Sequence, residues 1–298
     1  MKRNAKIGVF VLENLTTGMY TDPFDSIREY IQNAGDSILA AERNKLINSN
    51  DGLITISIDP EARSLSIRDN GCGIPADDVF DKLINIGMSK KVYGQEAGFR
   101  GIGRLAGMAY CKRLSFITSS PYEDTASLIT FDCEGIRESF SPINKSQEEI
   151  QHVLSKYTEQ EPLSAQKDSH YFEVRMEGIG HEIDAILDIE VLEQYLAQVA
   201  PVEYDSQSFI YAPKIIEWSK KNGYALNQVK VLIRTPGIER QVFKPYLNQY
   251  KTRRGNYIID IADVEFYPKE PTSNTRFWMW YSKTNLLGMF DDNRVAVY

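Results

Sequence analysis

Two periodicities alternate along the first half of the chain. In "TDPFDSIREYIQNAGDSILAAERNK" the apolar residues Phe24, Ile27, Ile31, Ala34 and Ile38 recur every three or four positions, which predicts an amphipathic helix. Thr21 or Asp22 can cap it, and Pro23 suits its first turn. "LITISIDPEARSLSIRDNG" alternates apolar and polar residues around a Pro-Glu-Ala-Arg turn and predicts a β-hairpin. "DDVFDKLINIG" reads as a short helix, "MSKKVYGQEAGFRGIG" as a polar loop and "RLAGMAYC" as a further helix. "RLSFITSS", "ASLITFDC" and "HYFEVRMEGI" read as strands, as does the apolar run in "MKRNAKIGVFVLENL". Residues 144–169 are polar and irregular, with a short helix expected in "SQEEIQHVLSKY".

The pattern changes near residue 185. "DIEVLEQYLAQVAP" and "APKIIEWSKKNG" predict helices, the second stopped by Gly223. "QVKVLIRTPGIERQVFKPY" predicts a hairpin, while "GNYIIDIADVEFYP" and "TRFWMWYSK" predict strands. The expected organisation is a domain over 1–184 and a smaller α+β domain over 185–298. The closing "RVAVY" reads as a strand with nothing after it, so a truncated C-terminus is expected.

Composition narrows the function classes. The chain has 298 residues, is 42% hydrophobic and 25% charged, and carries a net charge of −7. That balance supports a sizeable core, and the acidic sign does not imply nucleic acid as a general partner. Three scattered cysteines, Cys72, Cys111 and Cys133, fit neither a disulfide framework nor a zinc site and agree with a reducing, cytoplasmic setting. The first apolar run is too short for a secretory signal, and no run approaches the ~20 residues of a membrane span.

Three stretches carry candidate chemistry. On the first helix Glu29, Asn33 and Asp36 fall at about 0°, 40° and −20° around the axis, one polar stripe opposite the apolar face. In "DNGCGI" the carboxylate of Asp69 stands at a strand end, where it can accept from an exocyclic amine. Gly71 and Gly73 beside it permit close backbone approach. In "GFRGIGRLAG" glycines 98, 101 and 103 precede or open a helix, a place where free N–H groups favour an anion. Each stretch alone also reads as ordinary structure: a solvated helix face, a turn, a loop.

Their order resembles the GHKL ATPases: gyrase, ninety-kilodalton heat-shock chaperones, histidine kinases and MutL-type mismatch-repair proteins. "REYIQNAGDSI" resembles the first motif of that superfamily, "DNGCGI" the second, and "IGMSKK" with "GFRGIGRLAG" the ATP lid and third motif. The resemblance covers residues 21–110. The second domain is similar to that of bacterial proteins related to the heat-shock chaperones. The fold it implies is α+β, a two-layer α/β sandwich of Bergerat type followed by a transducer-like domain.

The resemblance also implies roles. Asp69 accepts from the adenine amine. Asn33 is the Mg²⁺ ligand, Glu29 the base that activates water, and Asp36 a residue that structures the site. Gly71, Gly73, Ile74, Ser89, Lys90, Arg100, Gly101, Ile102 and Gly103 line the nucleotide. Lys283 in "WYSKTN" is the candidate for the γ-phosphate cation. The family's Gly-Thr, whose hydroxyl supports the adenine-binding Asp, is absent; the corresponding place reads "KDSHYFEV", where Ser169 can supply a hydroxyl. The implied cofactors are ATP and Mg²⁺, and the implied behaviour is hydrolysis with lid closure over 76–103 and ATP-dependent homodimerisation. The client is not indicated. A nucleotide-gated interaction module without turnover stays open beside this reading. A histidine kinase fits less well, because His152, His170 and His181 all follow the motifs. A topoisomerase subunit would need DNA-cleavage parts.

Overall fold

A computed structural model describes residue 18 and residues 21–85, 103–139, 149–224, 226–251 and 258–283. The expected N-terminal strand, most of the 76–103 lid and the closing "RVAVY" lie outside the described residues. The chain divides into two compact units, Met1–Leu196 with Val229–Val242, and Ala197–Gln228 with Phe243–Tyr298.

The first unit is built on helix α1 (Pro23–Arg43) and an eight-stranded mixed sheet. Its strands are β1 (Leu53–Asp59), β2 (Ser64–Asp69), β3 (Arg113–Ser119), β4 (Thr125–Asp132), β5 (Thr158–Ser164), β6 (Tyr171–Glu177), β7 (Lys230–Thr235) and β8 (Ile238–Val242). Their order is β5-β4-β3-β6-β2-β1-β7-β8. Among the described strands of this sheet only β1 and β7 run parallel; the other neighbours are antiparallel. The hairpin β7–β8, grouped by sequence with the second domain, thus extends the first unit's sheet.

The residues dictate this arrangement. Asp22 caps α1 by accepting from the Phe24 N–H at 2.9 Å, and Pro23 occupies the first turn, where a missing N–H costs nothing. Ile27, Ile31 and Ile38 are buried on one face of the helix. One face of the sheet is equally apolar: Ile54, Ile56 and Ile58 on β1, Leu65 and Ile67 on β2, Leu114 and Phe116 on β3, Val174 and Met176 on β6. Each such side chain removed from water contributes about 1.5–3 kcal/mol. That gain sets the helix layer on the sheet, giving the expected α+β sandwich. Register follows the same alternation, with Ile56 opposite Ile67 and Ile54 opposite Asp69.

Smaller elements complete this unit. α2 (Ala76–Val79) runs into a wider π turn over Phe80–Ile84, where one longer helix was expected. The segment Gly103–Ala109, expected as an α-helix, is a 3₁₀ helix. α3 (Cys133–Glu138) and α4 (Ile150–Lys156) flank the outer strands, and α5 (Ile189–Val199) follows β6. Strand β5 was not expected. It is an edge strand of sequence TEQEPLS, mostly exposed on both faces, so it has no apolar alternation to reveal it.

The second unit holds α6 (Ala212–Lys221) and two hairpins, β9 (Gln249–Lys251) with β10 (Ile258–Asp260), and β11 (Val264–Tyr267) with β12 (Met279–Ser282). Its core is Tyr204, Phe209, Ala212, Ile215 and Val264, with Tyr246 and Trp280 packed against it. Trp218 stacks on Phe266 with ring centroids 4.5 Å apart. Lys244 is buried, and its amine donates to the Ala200 carbonyl at 2.6 Å. Burial pulls this amine down to about 7, because a charged group in a poorly solvated place loses hydration.

Candidate functional site

The polar stripe of α1 is the starting point. Glu29, Asn33, Asp36 and Ser37 are half-buried, whereas Ile27, Ile31 and Ile38 on the other face are fully buried. Burial of that apolar face fixes the rotation of the helix, so the stripe cannot turn away. Asn33 and Glu29 lie one and two turns before Ser37, about 6 and 12 Å along the axis. The helix therefore acts as a ruler, with Ser37 towards one end of the stripe and Glu29 towards the other.

Asp69 stands at the Ser37 end. On β2 the inward row is Leu65, Ile67, Asp69, so a carboxylate occupies a position where the pattern calls for a third hydrophobe. Asp69 is only 4% exposed. Its Oδ1 accepts from the Gly71 N–H at 2.8 Å. Burial pushes its carboxyl up to about 7; the Gly71 N–H, the neighbouring Ser37 hydroxyl and the Arg68 charge oppose that rise without cancelling it. A carboxylate held in an apolar row at such a cost is rare as a structural filler and is the kind of group found at functional sites.

The turn after Asp69 is gripped from three sides. From α1, Ser37 Oγ accepts from the Cys72 N–H at 3.1 Å. From β3, Thr118 Oγ1 accepts from the Ile74 N–H at 2.8 Å and donates to the Tyr171 carbonyl at 3.1 Å. From the loop before β6, His170 Nδ1 lies 2.7 Å from the Gly71 carbonyl and so carries the proton it donates. Both glycines are required by space, and Gly73 by its φ as well. A Cβ on Gly71 would sit 2.1 Å from Ser37 Oγ, and one on Gly73, whose φ is +65°, would sit 1.8 Å from the Ser119 carbonyl oxygen.

The third stretch docks nearer the other end of the ruler. Tyr30, next to Glu29, accepts from the Gly107 N–H at 2.8 Å and donates to the Arg104 carbonyl at 3.0 Å. This fixes the 3₁₀ segment that Gly103 opens against the N-terminal half of α1. Arg104 donates to the carbonyls of Leu83 and Asn85 at 3.0 and 2.6 Å, tying the π turn to the same place. Its guanidinium is held down to about 10 by burial. A carboxylate that can read an amine, a stripe bearing an amide and a carboxylate, and a glycine-opened helix start thus line up along one helix.

Residues 20–162 match the family model for the histidine kinase-, DNA gyrase B- and HSP90-like ATPases. They form a domain of that superfamily. Part of the chain is similar to the chaperone protein HtpG of three bacteria. It is 37% identical over 83 residues to that of Chlorobium phaeobacteroides, covering 26% of this chain and 13% of the relative. It is 35% identical over 85 residues to that of Salinispora tropica, covering 26% and 13%, and 34% identical over 79 residues to that of Rhodococcus jostii, covering 24% and 12%. The matched stretch thus spans about an eighth of the length of these relatives.

Within this domain the structure places Glu29, Asn33 and Asp36 on α1, Asp69 at the end of β2, Gly71, Gly73 and Ile74 in or just after the turn that follows it, and Gly103 at the start of the 3₁₀ segment. Ser89, Lys90, Arg100, Gly101 and Ile102 lie outside the described residues. Ser169 sits beside Ser119, their hydroxyls 2.9 Å apart, and its carbonyl accepts from the Ser119 hydroxyl at 3.1 Å. Lys283, at the end of β12 in the second unit, pairs with Glu265 at 2.5 Å and is largely exposed. The Cys72 thiol is half-buried, and burial, with the Asp69 charge adding to it, pushes its pKa up. That disfavours the thiolate, and with it a nucleophilic role for Cys72. Among the described residues no helix is long and apolar enough to cross a membrane.

Sequence reasoning missed Ser37, Thr118, His170 and Tyr30. Ser37 had a signal, since it stands four residues after Asn33 on the same stripe. The other three had none, because each acts on segments distant from it in the sequence.

Proposed function

We propose that the domain binds ATP with Mg²⁺ and hydrolyses it. The observation that carries this reading is Asp69, a carboxylate kept in an apolar row at the end of a polar helix stripe. In that place it accepts from the adenine amine, partly through water, while the rest of the nucleotide runs along α1 towards Glu29. Gly71 and Gly73 let the turn approach the base, and Ile74 and Asp36 complete the walls. The amide oxygen of Asn33 is the protein's ligand to Mg²⁺. Among the described residues no three carboxylate, His or Cys side chains gather into a cage. One amide fits a Mg²⁺ site all the same, because that ion keeps waters and takes its remaining ligands from phosphate. Mg²⁺ there supplies neutralisation of phosphate charge.

Glu29, one turn from Asn33, orients the attacking water and takes its proton. Gly101 and Gly103 direct backbone N–H groups at the phosphates, Ser89, Ile102, Lys90 and Arg100 line the same end, and Lys283 serves the γ-phosphate. Ser169 belongs to the wall around the base. Closure of the 76–103 lid and pairing of two copies follow nucleotide binding in this reading, as the superfamily resemblance implies. The full protein's client, and a chaperone role like that named for HtpG, belong to the same proposal. Titration with ATP and Mg²⁺, followed by thermal shift and phosphate release, tests it. Wild type is stabilised and releases phosphate; Asp69→Asn loses the stabilisation, and Glu29→Ala keeps it but loses turnover. Binding unchanged in Asp69→Asn would remove the assignment. Turnover unchanged in Glu29→Ala would remove the base and leave a nucleotide-gated module.

A further inference from the structure

A carboxylate that reads an amine must be held still, because a loose acceptor discriminates poorly. In the superfamily a threonine hydroxyl ahead of a late strand gives that support, and this chain lacks it. The residues that stand there turn elsewhere. Ser169 engages Ser119, and His170 engages the Gly71 carbonyl.

The hydroxyl beside Asp69 comes from α1 instead. Ser37 Oγ accepts from the Cys72 N–H at 3.1 Å, which uses an acceptor site and leaves its own O–H free to donate. Gly71 rests so close to Ser37 that any side chain on it would collide with the Ser37 hydroxyl, Cβ and carbonyl carbon. The N–H of that same Gly71 is the one that Asp69 accepts. The helix therefore holds the turn, and the turn holds the carboxylate.

We propose that Ser37 is the positioning residue for Asp69, the support for base recognition having moved from the late strand to the first helix. This rests on the reading that Asp69 accepts from the adenine amine. It is strengthened by electrostatics, since the Ser37 hydroxyl favours the ionised form of Asp69 against the burial that opposes it. The other titratable or charged groups around this carboxylate are Arg68 on its own strand, Cys72 in the turn and His170 against Gly71.

The test compares ATP with inosine triphosphate, which lacks the exocyclic amine. Binding of each, with Mg²⁺ and in the non-hydrolysable form, is measured by calorimetry on the full chain. Wild type prefers the adenine nucleotide, and Asp69→Asn loses the preference. Ser37→Ala is expected to weaken ATP binding roughly ten-fold, the effect of one hydrogen bond in a charged network, while inosine triphosphate binding changes little. Ser37→Thr, which keeps the hydroxyl, retains part of the preference. Should Ser37→Ala not fold, Ser37→Cys, of similar shape but a weaker donor, takes its place with the same expected loss. Equal weakening of both nucleotides, or an unchanged preference, overturns the role given to Ser37. Absence of any preference in wild type would instead overturn the reading of Asp69.

Discussion

Replacing Asp69 by Asn should stabilise the protein while removing its base recognition. The carboxyl rises from an ordinary 3.8 to about 7 in the folded protein, chiefly through burial. Keeping it ionised there costs about 4 kcal/mol relative to the unfolded chain. The sign follows from proton counts. Between about pH 4 and pH 7 the unfolded chain has lost this proton and the folded protein still holds it, so stability falls as pH rises. Above about pH 7 both states are ionised and the loss is complete. Asn is neutral at every pH, keeps an acceptor for the Gly71 N–H and can donate to Ser37. The variant's advantage over wild type should therefore grow from under ~1 kcal/mol near pH 4 to about 4 kcal/mol at pH 8. Urea unfolding of both proteins at pH 4, 5, 6, 7 and 8 measures it, because every other titrating group cancels in the difference. A flat difference across that range, or a variant less stable than wild type at pH 8, would refute the claim that Asp69 is held at a cost.

Three further outcomes are expected. Gly73→Ala should cost at least about 2 kcal/mol in urea unfolding, since its φ is +65° and a Cβ would meet the Ser119 carbonyl oxygen. Tyr30→Phe should cost about 1–3 kcal/mol, because the Gly107 N–H loses its acceptor and the Arg104 carbonyl its donor. It should also speed amide exchange at Gly107. For Lys244, whose amine is held near 7 by burial, the unfolded chain keeps its proton between about pH 7 and 10 while the folded protein loses it. Wild-type stability should therefore rise with pH over that window, and Lys244→Met should flatten the rise in a pH series of thermal unfolding.

Much of the first unit was legible because burial writes itself into periodicity. The apolar face of α1 appears as Ile27, Ile31 and Ile38, and the hairpin β1–β2 as two alternating runs. Asp69 was legible as a carboxylate at a strand end beside two glycines and from the order of the three motifs; its place in the inward row of Leu65 and Ile67 is what the structure adds. What periodicity cannot carry was missed. Strand β5 is an exposed edge, held by pairing with β4 along its full length and not by an apolar face. The segment Gly103–Ala109 has helical apolar spacing, yet Gly107 sits under Tyr30, where a Cβ would be 2.5 Å from the phenol oxygen, and the backbone winds as a 3₁₀ helix. The grips of Thr118 and His170 on the turn depend on how β3 and β6 are registered beside β2, which no local stretch records.

The same division explains how the site is built. Ile27, Ile31 and Ile38 set the depth and rotation of α1 through a gain spread over many contacts. No single polar contact could hold a helix as firmly, since each is worth only about 1 kcal/mol net. The polar groups are instead used where direction matters. Ser37, Thr118 and His170 fix one turn to three different elements, and Tyr30 fixes the 3₁₀ segment to the helix. Distance along the site therefore follows from the core, whereas orientation at each end follows from hydrogen bonds. A change in the core of α1 should disturb both ends of the stripe together. A change at Ser37 or Tyr30 should disturb one end and leave the other, which is the behaviour expected of two subsites read along one rigid element.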